Sequence, residues 1–184
     1  VDKSMLENDL DAAEKAQILS GIAYSINNAF KSMDELNRAS DLLQIAWEIL
    51  KKIPEDRKGD LDVKQIKAKI MSNIGSNNLA KYKCSQVVER NTHLQNALEW
   101  HKKALDFRKN LLDDEEDAKA ANSLKLKVAV SYTTVATDYF FMGNYEKAIQ
   151  AHTKACKIRQ ELNEENAVSI NQQRIIGCLL EDYR

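Results

Sequence analysis

The chain has 184 residues, 43% hydrophobic and 30% charged, with a formal net charge of -1. That apolar share is too high for disorder, while one proline and five glycines leave little material for hairpin turns and point to an all-helical chain. The near-neutral balance argues against electrostatic recognition of nucleic acid or of a membrane surface, and no apolar run approaches the roughly 20 residues of a membrane span.

Helical periodicity organises the chain into hairpins. A helix over about residues 9–32 pairs with a second over about 34–53, which ends near Pro54. The polar stretch Glu55–Asp60, with Gly59, reads as a linker. A helix over about 62–83 carries Ile66, Ile70, Ile74 and Asn78 on one face and pairs with a helix over about 92–112. The polar segment Cys84–Thr92 joins them. The acidic run Asp113-Asp-Glu-Glu-Asp117 reads as a solvated turn whose charges suit the N-terminus of the following helix. Within the third unit, about 117–162, Leu124, Val128, Tyr132, Val135, Tyr139 and Met142 recur at helical spacing. Gly143 is expected to end that helix in the left-handed conformation, and a partner helix then runs from about Tyr145 to Leu162.

A final helix over about 165–182 has no partner in the chain. Its Ile170, Ile175, Ile176, Cys178, Leu179 and Leu180 spread over more than one face, which requires more than one neighbour. Either the array continues past Arg184 in a longer protein, the reading we favour, or this helix self-associates with another chain. The opening Val1 fits an excised domain.

One fifteen-residue stretch occurs twice, 51 residues apart. Ala97-Leu-Glu-Trp-His-Lys-Lys-Ala-Leu-Asp-Phe-Arg-Lys-Asn-Leu111 aligns without gaps on Ala148-Ile-Gln-Ala-His-Thr-Lys-Ala-Cys-Lys-Ile-Arg-Gln-Glu-Leu162, sharing Ala, His, Lys, Ala, Arg and Leu at six places. Internal repetition of this kind marks a stacked array in which each unit buries its apolar face against its neighbours.

Signals for chemistry are sparse. Cys84, Cys156 and Cys178 show no ligand spacing and read as small fillers of a reducing compartment, so the expected location is cytoplasmic. His101 and His152 recur because the repeat recurs, and packing accounts for both. His93 falls in a loop-like stretch without an evident partner. No phosphate loop, nucleophile elbow or HExxH pattern is present, and no two carboxylates stand out as an acid–base couple. No catalytic, cofactor-binding or metal site is therefore expected.

The unit Tyr132-x-x-Val135-Ala136-x-x-Tyr139, Gly143-x-Tyr145, Ala148-x-x-x-His152-x-x-Ala155 resembles a tetratricopeptide repeat, with His152 at the family's aromatic place and its closing proline absent. Met71-x-x-Ile74-Gly75-x-x-Asn78 with Ala97-x-x-x-His101-x-x-Ala104 resembles a second unit, and Ala39-x-x-x-Leu43-x-x-Ala46 marks the first. Arg174-Ile-Ile176-Gly177-Cys-Leu-Leu180 looks like the opening of a fourth. The 41-residue spacing of Val135 and Ile176, with Arg159-Gln-Glu-Leu before a polar linker, is similar to the longer kinesin light chain type of repeat. Small residues at Gly75, Ala97, Ala136 and Ala148 would let paired helices approach closely. Trp47 and Trp100, on second helices, are expected to pack in the core or between repeats rather than to stand as exposed anchors.

The resemblance implies an all-α, right-handed superhelix of antiparallel hairpins, a single domain of about three and a half repeats. It also implies a concave groove lined by the first helices, holding a protein or peptide. Carried over unit by unit, its residues are Tyr24 and Asn28, then Lys69, Asn73, Ser76 and Ala80. Val130, Thr134, Thr137 and Phe141 follow, then Asn171, Arg174 and Cys178. The asparagines can donate to and accept from a peptide backbone, Lys69 and Arg174 can hold a carboxylate, and Phe141 and Tyr24 can supply apolar pockets. The two-carboxylate clamp of chaperone-binding members needs more basic residues than these. The expected function is a protein- or peptide-binding scaffold within a larger signalling or assembly protein, and not an enzyme. The alternative is a peptide-responsive sensor whose superhelix closes on its ligand.

Overall fold

A computed structural model describes residues 11–29 and 32–162 of the chain. Among the described residues there are seven helices and no strand: α1 (Ala12–Ala29), α2 (Met33–Lys51), α3 (Glu55–Lys58), α4 (Leu61–Cys84), α5 (Val87–Asp113), α6 (Ala118–Phe141) and α7 (Tyr145–Glu161). The expected final helix at about 165–182, with Asn171, Arg174 and Cys178, lies outside the described residues. The chain forms two compact units that divide within α5, between Trp100 and His101. Helical hairpins build both, as the resemblance implied.

In the first unit α1 and α2 pack as a hairpin and α4 packs on both. α2 opens with a capping box. Ser32 Oγ accepts from the Glu35 backbone N–H at 3.3 Å, and the Glu35 carboxylate accepts from the Ser32 N–H at 3.1 Å. Along α2, Leu36, Ala39, Leu43, Ala46 and Leu50 are buried at steps of three and four, so the least regular of the expected units still packs as a hairpin. Pro54 ends the chain segment after α2, and the linker that follows holds the one-turn α3. Its Arg57 reaches back to Asp11 at 2.8 Å, an exposed pair that ties the turn to the start of α1.

The largest departure from expectation is the start of α5. Only Ser85 and Gln86 separate α4 from α5, so most of the expected loop Cys84–Thr92 is helix, and His93 lies within it. The stretch is polar because Glu89, Arg90, Asn91 and Thr92 all face solvent, and nothing in it breaks a helix. Arg90 fastens this turn to α4: its Nε donates to the Tyr82 carbonyl at 3.2 Å and its guanidinium lies 5.0 Å from the Tyr82 ring centre. Cys84, expected as a filler, is exposed, and Cys156 is half-buried.

In the second unit α6 and α7 form the hairpin. Gly143 adopts φ 72°, the Gly143 N–H donates to the Phe140 carbonyl and the Asn144 N–H to the Tyr139 carbonyl, both at 2.9 Å. That double bond pattern is the Schellman ending, which requires a residue free of Cβ strain at its left-handed position. Asn144 then caps α7 by accepting from the Lys147 N–H at 3.2 Å. At the other end of α6, Asp117 of the acidic run accepts from the Ala120 N–H at 2.7 Å, as its charge and place suggested. Gly75, Ala97, Ala136 and Ala148 are all buried, consistent with close helix approach.

Candidate binding surfaces

Two of the expected groove residues belong to α1. Tyr24 is 49% exposed and Asn28 is also exposed, one turn further on. On α4 the expected stripe divides. Lys69 is exposed and Ser76 half-buried, whereas Asn73 and Ala80 are buried. Asn73 is 5% exposed, and its amide donates to the Ser20 carbonyl at 3.1 Å and to Ser20 Oγ at 2.7 Å. Its donors therefore hold α4 to α1. The reason is geometric: α4 meets two helices at once, so a wide sector of its surface is covered.

Asn73 belongs to a polar seam that sequence reasoning did not anticipate. One turn on, Asn77 donates to Asn27 Oδ1 at 2.8 Å and to the Leu36 carbonyl at 2.9 Å. Ser40 Oγ donates to Asn77 Oδ1 at 2.7 Å, and Lys81 Nζ donates to Ser40 Oγ at 2.8 Å. Burial pushes the Lys81 ammonium pKa down, against an opposing pull from Asp41. Asn73, Asn77 and Lys81 stand at i, i+4 and i+8, a stripe adjacent to the apolar one, and their partners come from α1 and α2. The spacing was visible in the sequence, but the burial was not.

Trp47 and Trp100 meet edge to face, with ring centres 5.8 Å apart and planes at 83°. They join α2 to the first half of α5 within the first unit and line a cleft of about 340 Å³ with Ser40, Gln44, Ile74 and Asn78.

On α6 the expected stripe is uncovered at one end. Val130 is 51% exposed, while Thr134, Thr137 and Phe141 are half-buried. Thr134 Oγ1 donates to the Ser131 carbonyl at 2.9 Å and Thr137 Oγ1 to the Thr133 carbonyl at 3.0 Å. Both hydroxyls keep acceptor capacity for a ligand.

The sectors of α6 that flank this stripe receive repeated residues of α5 and α7. His101 is 1% exposed and its Nδ1 lies 2.5 Å from Asp138 Oδ2. Burial raises the Asp138 carboxyl pKa, and the hydrogen bond from His101 pulls the other way. Arg108 donates to Ser131 Oγ at 2.5 Å, and burial lowers its pKa to about 10. On α7, His152 is buried with its pKa lowered by desolvation and by Arg159, which reaches Thr133 Oγ1 at 3.4 Å. The repeated histidines and arginines are thus buried packing residues: His101, Arg108 and Arg159 bond to α6, and His152 is buried near Arg159. Asp138 was missed because its partner lies 37 residues away. Although His101 and Asp138 have the composition of an acid–base pair, neither reaches solvent.

Residues 128–166 match the family model of the tetratricopeptide repeat, which assigns that segment to the family. No curated protein and no solved structure matches the chain. No described helix is long and apolar enough to cross a membrane.

Proposed function

We propose that this chain, assigned to the tetratricopeptide repeat family by residues 128–166, is a protein-interaction scaffold that binds a protein or peptide segment on the first helices of its hairpins. The observation that carries this reading is Val130. A half-exposed valine heads the stripe of Thr134, Thr137 and Phe141, on a helix that packs elsewhere against α7 and bonds to the second half of α5. The first unit by itself offers Tyr24, Asn28 and Lys69, an aromatic face, an amide and an ammonium of the kind that an extended peptide with a carboxylate would use. Asn73 leaves the set, since its amide is bonded inside the first unit.

The test compares the parent chain with Tyr24→Ala/Val130→Asp in pull-downs from native-source lysate, read by mass spectrometry. Both positions are exposed, so the variant should melt with the parent. A partner captured by the parent and lost by the variant is the expected result. Capture that is indifferent to both substitutions would remove the groove assignment.

A further inference from the structure

A second surface lies on the other helices of the hairpins. Lys102 and Lys109 of α5 are seven residues apart, as are Lys147 and Lys154 of α7, so each pair spans two turns, about 10.5 Å along its helix. The four lysines line one cleft of about 460 Å³ within the second unit. Its floor comes from α6. Lys102 Nζ lies 5.5 Å and Lys147 Nζ 5.6 Å from the centre of the Tyr139 ring, and Lys154 Nζ lies 5.7 Å from that of Tyr132. Buried Leu105 and Val135 complete the apolar base.

The charge of this cleft is unbalanced. Asp106 is the one carboxylate among its lining residues, and none of the four lysines forms an ion pair with it or with any other described residue. The chain as a whole is at -1, so the cleft is a local basic site on a slightly acidic protein. Two ammonium groups converge on a single tyrosine ring, which attracts each cation while leaving their mutual repulsion uncompensated. An anion placed between the rails would meet both.

We propose that this cleft docks an extended acidic segment of a partner protein, with carboxylates reaching the α5 and α7 lysines and the peptide backbone lying over Tyr132 and Tyr139. An extended chain rises about 3.3 Å per residue and points successive side chains to opposite sides. A short run of Asp or Glu therefore addresses both walls, and about three residues span the lysines of one rail. The concavity suits a chain rather than a flat membrane surface. The low overall charge disfavours the long-range attraction that nucleic acid exploits. The site is separate from the proposed groove, whose second-unit residues lie along a different stripe of α6.

The experiment titrates the full 184-residue chain into fluorescein-labelled oligoglutamate at low salt, with oligoglutamine as the neutral probe, reading anisotropy. Saturable binding of oligoglutamate alone is expected. It should weaken about tenfold in Lys147→Gln/Lys154→Gln and again in Lys102→Gln/Lys109→Gln, while Lys52→Gln, an exposed lysine outside both surfaces, leaves it unchanged. Equal affinity in the parent and the four-lysine variant overturns the proposal, as does equal binding of oligoglutamine. Tighter lysine-dependent binding of polyuridylate or of phosphatidylserine vesicles would overturn the choice of a peptide as occupant.

Discussion

His101 Nδ1 and Asp138 Oδ2 stand 2.5 Å apart between α5 and α6, with 1% and 0% of their residues exposed. A histidine at the repeat's aromatic place would pack as a ring alone. Here it also meets a carboxylate whose other oxygen has no partner among the described residues. The pair therefore joins two helices through groups that are costly to separate, since removing one leaves the other desolvated and uncompensated.

Asp138→Ala should lower unfolding free energy by about 3–5 kcal/mol. Asp138→Asn, which keeps an acceptor for the imidazole N–H, should cost less. Urea denaturation of the three proteins checks this. An Ala variant within about 0.5 kcal/mol of the parent would show the contact to be energetically idle.

His152 makes stability depend on pH in a stated direction. Its folded-state pKa lies below the ordinary 6.5, from burial first and Arg159 second, so the unfolded chain binds the proton more readily. Stability contributed by the neutral, buried ring is present above about 6.5 and is lost as pH falls through that value toward the folded pKa. Asp138 slopes the other way, because its raised carboxyl pKa favours the folded state as pH drops. The variant His152→Phe should therefore gain on the parent progressively between neutral pH and pH 5 in thermal melts. Parallel melting profiles for the two proteins would refute the assignment.

Asn73→Ala should destabilise the chain by about 1–3 kcal/mol, because it strips the Ser20 carbonyl and hydroxyl of a buried donor. The neighbouring exposed change Lys69→Ala should fall within about 0.5 kcal/mol of the parent. Chemical denaturation distinguishes the two, and a neutral Asn73→Ala would return this residue to the surface set.

Ala148 begins the repeated motif on α7 and is fully buried. Ala148→Leu adds three carbons where α6 and α7 are in contact, and about 1–3 kcal/mol of overpacking should follow. An unchanged melting temperature would count against the close approach that the repeat requires.

Local chemistry by itself determined much of the architecture. The Gly143–Asn144 turn, the Asp117 cap, the apolar stripes of α2 and α6 and the small residues at each close approach were readable because each is decided within a few residues. A positive φ needs glycine, a cap needs a short acceptor, and a core stripe needs a period near 3.6. The resemblance to a tetratricopeptide repeat was legible for the same reason, being written in spacing. What only the tertiary structure decided is the fate of the polar residues. Asn73 looked like a ligand contact and is bonded to Ser20, Asp138 was unremarked and faces His101, and the solvated turns of α5 passed for a loop. Likewise Lys102 and Lys147 come to one tyrosine only when α5, α6 and α7 are assembled. Periodicity reports which face of a helix is apolar, whereas a polar side chain is defined by a partner that sits on another helix, tens of residues away.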